Sequence, residues 1–105
     1  MTKNITNMFI GVDGSVKQIY PEKKDFTLQE MYKIIGCELV EMVQLSKGVE
    51  MWVDEEGLLK EHPIENTVAT AYYRKAYPHA DPDELLIVGN AIIQDKTKAQ
   101  AFFFK

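Results

Sequence analysis

The chain has 105 residues, of which 46% are hydrophobic and 27% are charged, and its formal net charge is -4. This length and composition predict a single globular domain over residues 1–105, because so short a chain can bury only one core. The acidic balance argues against general nucleic-acid binding, which depends on lysine and arginine neutralising phosphates.

Cysteine usage and hydropathy indicate the compartment. Cys37 is the only cysteine, so no disulfide can form within the chain. Its position after Gly36 and before an alternating run suggests a buried thiol in a reducing environment. No apolar run reaches the roughly 18 residues that span a bilayer, and the first five residues lack the apolar core of an export signal. We therefore expect a cytoplasmic protein without membrane contact.

A β-hairpin is predicted at the start of the chain. The strand-like runs at residues 7–12 and 16–20 flank Asp13-Gly14-Ser15. Asp-Gly between such runs is typical of a hairpin turn, because both residues tolerate a positive φ. The pattern leaves the loop length and the register open.

The first helix has the clearest signals in the sequence. Thr27 and Glu30 have the spacing of a capping box, Phe26 and Met31 stand at the hydrophobic staple positions, and Gly36 follows where a left-handed cap is expected. These signals predict a helix over residues 28–35. Its buried stripe is expected to comprise Leu28, Met31, Ile34 and Ile35.

A second hairpin is predicted where the hydrophobic period changes to two, over residues 38–45 and 49–54. Ser46-Lys47-Gly48 forms the predicted loop. The expected cross-strand neighbours are Leu45 with Val49, Val43 with Met51, Glu41 with Val53, and Met42 with Trp52. Both faces then carry apolar groups, which indicates a central hairpin covered partly on its second side.

The rest of the chain predicts one more helix and one or two strands. Asn66 or Thr67 can cap a helix that Pro78 ends, with Tyr72 on the face turned to the sheet. Residues 85–93 read as a strand in which Gly89-Asn90 is either a turn or a bulge. Residues 101–104 can add a short strand. The order β-β-α-β-β-α-β predicts an α+β fold with a mainly antiparallel sheet and two helices packed on it.

Several short segments resemble a known family. The first is the helix over residues 28–35 with the strand entry Gly36-Cys37-Glu38-Leu39-Val40-Glu41 that follows it. The others, in chain order, are the turn Asp54-Glu55-Glu56-Gly57, the pair Pro63 and Asn66, and the run Ile87-Val88-Gly89. This order and spacing is similar to a family of small domains of unknown function found in bacteriophages and other mobile elements. Asp54 stands where the family often has Asn, and Cys37 where a second glycine is common. The resemblance implies a phage or mobile-element setting, hence the host-cell cytoplasm, and it implies no activity.

An acidic turn is the first candidate site. Glu41, Asp54, Glu55 and Glu56 can gather near one end of the central hairpin, and Asn66 is grouped with them. Such a cluster can bind a hard cation or serve as a general base. The spacing does not match a calcium loop, so a solvated turn is the favoured interpretation. We predict no metal site and no cofactor.

A tyrosine-rich segment is the second candidate site. Tyr73, Arg74, Tyr77 and His79 interleave aromatic rings with cations, which suits a stacked base beside a phosphate. Helical spacing puts Tyr73 and Tyr77 one turn apart on an exposed face. The competing interpretation is that some tyrosines pack in the core and leave Arg74 on a solvated face.

The C-terminal Phe102, Phe103 and Phe104 are candidates for a subunit interface or for an edge strand packed on the domain. No nucleophile motif or phosphate loop is present, so we expect no enzyme. The leading hypothesis is a non-enzymatic accessory protein, such as a counter-defence protein, that binds a host or phage macromolecule and forms a homo-oligomer. The alternative is a protein that sequesters a nucleotide-like small molecule, and a metal-assisted hydrolase centred on Glu41 and Asp54 is a weaker third hypothesis.

Overall fold

The structure, a computed structural model, describes residues 5–97. In this range a five-stranded antiparallel sheet carries two α-helices, which confirms the α+β class. The strands are β1 (Thr6–Ile10), β2 (Val16–Ile19), β3 (Val40–Ser46), β4 (Val49–Asp54) and β5 (Ala91–Asp95), and the helices are α1 (Leu28–Ile35) and α2 (Thr67–Ala76). The predicted strand at residues 101–104 and the interface candidates Phe102, Phe103 and Phe104 lie outside the described residues.

The sheet order is β2-β1-β5-β4-β3, which places β2 and β3 at the edges of the described sheet. The order of elements along the chain differs from the prediction by two 3-10 helices, Gly57–Leu59 and Pro82–Glu84. Each is a single short turn in a loop with weak periodicity, which explains why the sequence pattern does not reveal it.

Each face of the sheet is covered by one helix. On the α2 side, Ile10, Met51 and Ile93 are fully buried, and Tyr72 and Tyr73 of the helix pack against this cluster. On the α1 side, Ile92, Met31 and Ile35 form a smaller core with Trp52 packed on it. The fully buried β5 therefore has apolar groups on both faces, as expected for a central strand.

Helix α1 begins and ends as predicted. The Thr27 hydroxyl accepts a hydrogen bond from the Glu30 N–H, and the Glu30 carboxylate accepts one from the Thr27 N–H. Gly36 ends the helix in the left-handed conformation at φ 83°, which a residue with a Cβ rarely adopts. The predicted buried stripe is wrong at Leu28, which is 49% exposed, because the first turn of the helix extends beyond the sheet-covering face.

The central hairpin has the predicted register at three positions and differs at its loop. Glu41 pairs with Val53, Met42 with Trp52, and Val43 with Met51. At the loop, Ser46 pairs with Val49 in place of the predicted Leu45, because the register shifts between Gln44 and Ser46. This irregularity lets the Leu45 side chain stay buried beside a loop one residue shorter than expected.

The N-terminal hairpin is confirmed, with Ile10 paired to Val16 across the turn that contains Asp13-Gly14-Ser15. The predicted strand at residues 85–93 is wrong in extent, because β5 begins only at Ala91. Val88 forms an isolated bridge with Glu65, and a bend at Gly89 separates this bridge from β5. The backbone N–H and carbonyl of Ile87 bond to Thr70 and Asn66 at the start of α2, so this part of the chain pairs with the helix entry in place of the sheet.

Candidate functional site

A cleft of about 190 Å³ opens on the α2 side of the sheet, between β3, β4, α2 and the segments 55–58 and 84–88. We call it the acidic cleft and define it by Glu41, Asp54, Glu55, Tyr73 and Glu84. Its apolar walls are Val43, Val53, Leu58, Leu86, Ile87 and Val88, with Gly57 at the base. Three members of the predicted acidic turn and one of the predicted tyrosine segment therefore line one cleft.

Four different elements of the fold position these side chains. Glu41 lies on β3 opposite Val53, while Tyr73 belongs to α2 and Glu84 to the second 3-10 helix. Gly57 allows the loop after β4 to approach the chain at Val88, because a Cβ at this glycine would lie 3.0 Å from the Val88 carbonyl oxygen. This close approach shapes the base of the acidic cleft.

The Asp54 carboxylate is already engaged by its own loop. Its Oδ1 accepts a hydrogen bond from the Glu56 N–H at 2.9 Å, and its Oδ2 lies 3.3 Å from Lys60 Nζ, with the Asp54 side chain 8% exposed. A hydrogen bond and an ion pair thus satisfy both oxygens. Asp54 consequently organises the turn and adds little charge for a ligand.

The remaining carboxylates are differently placed. Glu41, Glu55 and Glu84 are exposed, and within residues 5–97 no lysine, arginine or histidine forms an ion pair with any of them. Three carboxylates without a compensating cation give the cleft a negative potential. The cleft therefore attracts cations and repels anionic groups.

Tyr73 lines the acidic cleft, and its ring contacts that of Tyr77. Their ring centroids are 5.6 Å apart with an interplanar angle of 83°, an edge-to-face pair. Burial raises the pKa of the Tyr73 hydroxyl, with further contributions from Tyr77 and from the negative charge of Glu41. The Tyr77 hydroxyl donates a hydrogen bond to the Gln44 carbonyl oxygen of β3. The two rings thus tie α2 to the edge strand. The prediction that both lie on an exposed face is wrong for Tyr73, which packs against the buried core on the α2 side, whereas Tyr77 is 40% exposed.

Arg74 and His79 lie apart from this arrangement. Arg74 Nε donates a hydrogen bond of 3.2 Å to the carbonyl oxygen of Pro82. Both side chains are exposed, and neither lines the acidic cleft. The aromatic pair therefore has a carboxylate beside it in place of the cation that a phosphate would need.

Asn66 is fully buried and has a structural role. Its Oδ1 accepts a hydrogen bond from the Ala69 N–H and so caps α2, while its Nδ2 donates to the carbonyl oxygens of Ile10 and Gly89 at 3.0 and 2.9 Å. The side chain joins β1, α2 and the bend before β5. Its amide is committed to these bonds, so it does not serve as a ligand group for the acidic turn.

A second cleft, of about 230 Å³, lies on the other side of the loop after β4. Its lining includes Gly36, Asp54, Gly57, Pro63 and Gly89, which come from all four of the sequence segments singled out above. Cys37 lies nearby and is half-buried, and burial followed by the charge of Asp54 raises the pKa of its thiol. The four segments that carry the family resemblance therefore lie close together around the loop after β4.

Metal ligation has no geometric support in the described part of the chain. Within residues 5–97, no three histidine, cysteine, aspartate or glutamate side chains lie close enough together to hold a metal ion. The acidic cleft consequently offers charge without a cation cage. In the same range, no helix combines the length and the apolarity that a membrane span requires.

Glu84 and Leu58 line the acidic cleft although the sequence pattern does not predict them as site residues. Glu84 stands in an acidic, proline-containing loop, and that local charge is the one signal that could have identified it. It lines the same cleft as Glu41 because distant parts of the chain meet there, which no local pattern encodes.

The sequence matches a known protein family. A family model described as Domain of unknown function (DUF3846) matches residues 9–102. No curated protein and no solved structure matches the chain.

Proposed function

Because the chain belongs to the family described as Domain of unknown function (DUF3846), for which no activity is described, we propose its function from the acidic cleft. The protein is a non-enzymatic binding domain that recognises a cationic segment of a macromolecular partner. The observation that carries this proposal is the convergence of Glu41, Glu55 and Glu84 beside Tyr73 in one cleft.

The chemistry of the cleft fits a lysine or arginine side chain. Such a side chain has a cationic head and an apolar stem, and the cleft offers carboxylates next to the apolar walls formed by Val43 and Leu58. The Tyr73 ring can receive a guanidinium on its face, an attraction worth roughly 0.5–1 kcal/mol at an exposed site. A protein segment rich in arginine or lysine is therefore the partner that suits this surface.

A nucleotide-like ligand suits the same cleft less well. Glu41 contributes to the raised pKa of Tyr73, so its negative charge acts on the ring that would stack a base. A phosphate placed there would meet unpaired carboxylates, since Arg74 bonds to Pro82 instead. Native mass spectrometry of the purified protein tests this alternative, because a retained ultraviolet-absorbing molecule would favour sequestration.

The setting belongs to the proposal as well. The protein is an accessory factor of a bacteriophage or other mobile element that acts in the host cytoplasm on a host or phage macromolecule. Self-association through Phe102, Phe103 and Phe104 completes this picture. These parts follow from the resemblance and from the composition.

Fluorescence anisotropy with a dye-labelled, end-blocked oligo-arginine peptide tests the cleft. We expect Glu41→Gln and Glu84→Gln each to weaken binding about two- to five-fold, the range for an exposed ion pair. Glu22→Gln is the matched control, since it removes the same charge from an exposed residue next to α1 on the opposite face of the sheet. Equal losses in all three variants would mean that the peptide senses only net charge.

A further inference from the structure

The outer edge of β3 lies immediately beside the acidic cleft. β3 is the last strand in the sheet order, and within residues 5–97 no strand pairs with its outer side. An open edge presents unpaired backbone N–H and C=O groups, which can bond to an added strand. Glu41 belongs to this strand, so the edge and the cleft form one continuous surface.

The register shows which backbone groups face outward. The Glu55 N–H bonds to the Leu39 carbonyl oxygen, which makes this pair the bonded kind in an antiparallel ladder where bonded and non-bonded pairs alternate. Val40, Met42 and Gln44 occupy the intervening positions opposite β4. Their N–H and C=O groups therefore point away from β4, toward the open edge.

One of these outward groups is already bonded. The Gln44 carbonyl oxygen accepts the hydrogen bond from the Tyr77 hydroxyl, which agrees with the outward direction deduced from the ladder. Tyr77 thus occupies the edge next to the bulge and limits how far a new strand can extend. Val40 and Met42 remain as the two residues whose backbone can pair.

Side chains on the two faces of this edge select different partner residues. On the α2 side, Glu41 stands next to Tyr73 and the acidic cleft. On the α1 side, Met42 exposes 41% of its surface. Directly opposed residues of paired strands share a face and place their Cβ atoms about 5 Å apart. A partner strand with basic residues on one face and apolar residues on the other matches both.

We propose that the partner binds by β-strand addition: an extended segment with alternating basic and apolar residues pairs antiparallel with Val40 and Met42, and inserts a basic side chain between Glu41 and Tyr73. This proposal rests on the proposed function and specifies its mode. The antiparallel direction agrees with all the pairings in the described sheet. Backbone bonds provide affinity and the cleft provides selectivity.

Two methylated peptides test the backbone contact without altering the protein. The probe is a dye-labelled, end-blocked peptide of alternating arginine and valine. In the proposed arrangement the valines face Met42, so their N–H groups point to β3, while the arginine N–H groups point to solvent. We expect N-methylation of the valines to weaken binding about tenfold, and N-methylation of the same number of arginines to change it little. Equal effects of the two modifications would overturn the proposal.

A pair of protein variants provides the second test. Met42→Pro removes the outward N–H without breaking a bond to β4, since proline is tolerated on an edge strand where its nitrogen faces solvent. Met42→Ala removes the same side chain and keeps the N–H. We expect Met42→Pro to bind the peptide several-fold more weakly than Met42→Ala, and equal binding would contradict the proposal. Circular dichroism checks the fold, and if Met42→Pro does not fold, the methylated peptides alone decide.

The outcomes separate the two levels of the proposal. If the alternating peptide binds with no effect of backbone methylation while Glu41→Gln weakens it, the acidic cleft is used and strand addition is wrong. If neither the alternating peptide nor the oligo-arginine peptide binds the full chain, the proposed function itself fails.

Discussion

Replacing Asn66 by alanine should destabilise the fold more than any other single change of an uncharged polar side chain considered above. The side chain makes three hydrogen bonds, to the Ala69 N–H and to the carbonyl oxygens of Ile10 and Gly89, at zero exposure. An N-cap contributes about 1 kcal/mol, and each of the other two bonds contributes about 1 kcal/mol net. Asn66→Ala should therefore lower the free energy of unfolding by about 3 kcal/mol.

Urea denaturation followed by Trp52 fluorescence measures this loss, because Trp52 is the only tryptophan and packs on the α1-side core. With a slope of about 1–3 kcal/mol per molar urea, the midpoint should fall by about 1–3 M. Thr67→Ala is the matched control, since Thr67 is the exposed neighbour that the sequence also allows as the cap. Thr67→Ala should lower the free energy of unfolding by no more than about 0.5 kcal/mol.

Asn66→Asp separates the two parts of the side chain. The aspartate keeps the oxygen that accepts the Ala69 N–H and replaces the donating amide nitrogen by a second oxygen, which would face the Ile10 and Gly89 carbonyl oxygens. We expect it to be at least as destabilising as alanine. Asn66 does not have this structural role if Asn66→Asp is as stable as the unsubstituted protein, or if Thr67→Ala destabilises the fold as much as Asn66→Ala.

Three further predictions concern other parts of the molecule. The backbone N–H groups of Thr27 and Glu22 lower the pKa of Glu30. The contribution of Glu30 to stability is therefore present above its unfolded pKa and disappears as the pH falls through the lower folded pKa. Glu30→Gln should remove this part of the loss of stability in acid, and an unchanged dependence of stability on pH would mean that the capping box is not formed. Burial, Tyr77 and Glu41 raise the pKa of Tyr73, and burial also raises the pKa of Tyr72, so ultraviolet titration should find both tyrosines ionising above the ordinary value. Glu41→Gln should lower the pKa of Tyr73 and leave that of Tyr72 unchanged; no change at Tyr73 would place Glu41 too far from its ring. Sedimentation of the full chain against a chain ending at Gln100 should show self-association only in the former, whereas a full-length monomer at high concentration would rule out the proposed role of Phe102, Phe103 and Phe104.

The parts of the fold that sequence patterns predict are those that local chemistry determines. Helix α1 is an example, since Thr27, Glu30 and Gly36 fix its ends within ten residues of one another. The pairing of Met42 with Trp52 follows in the same way from alternation on both sides of a short loop. The bulge beside Leu45 escapes prediction because burial of that side chain, rather than the period of the strand, decides the register there.

The candidate site is only partly encoded in local patterns. Tyr73 and Glu41 each stand out in sequence, yet their approach requires α2 to pack across β3, a contact between distant segments. The same holds for Gly57, whose close approach to Val88 is visible only in three dimensions. Local signals can identify side chains with suitable chemistry, whereas their grouping depends on how the sheet is covered.

The most direct test of the acidic cleft as a binding surface is amide NMR chemical-shift mapping of the full chain titrated with the alternating arginine and valine peptide. We expect the largest shifts to cluster at Val40, Glu41, Met42, Gly57 and Tyr73, and to diminish in Glu41→Gln. Shifts concentrated on β2 or α1, with Glu41 and Tyr73 unaffected at saturating peptide, would contradict the claim that this cleft receives the partner.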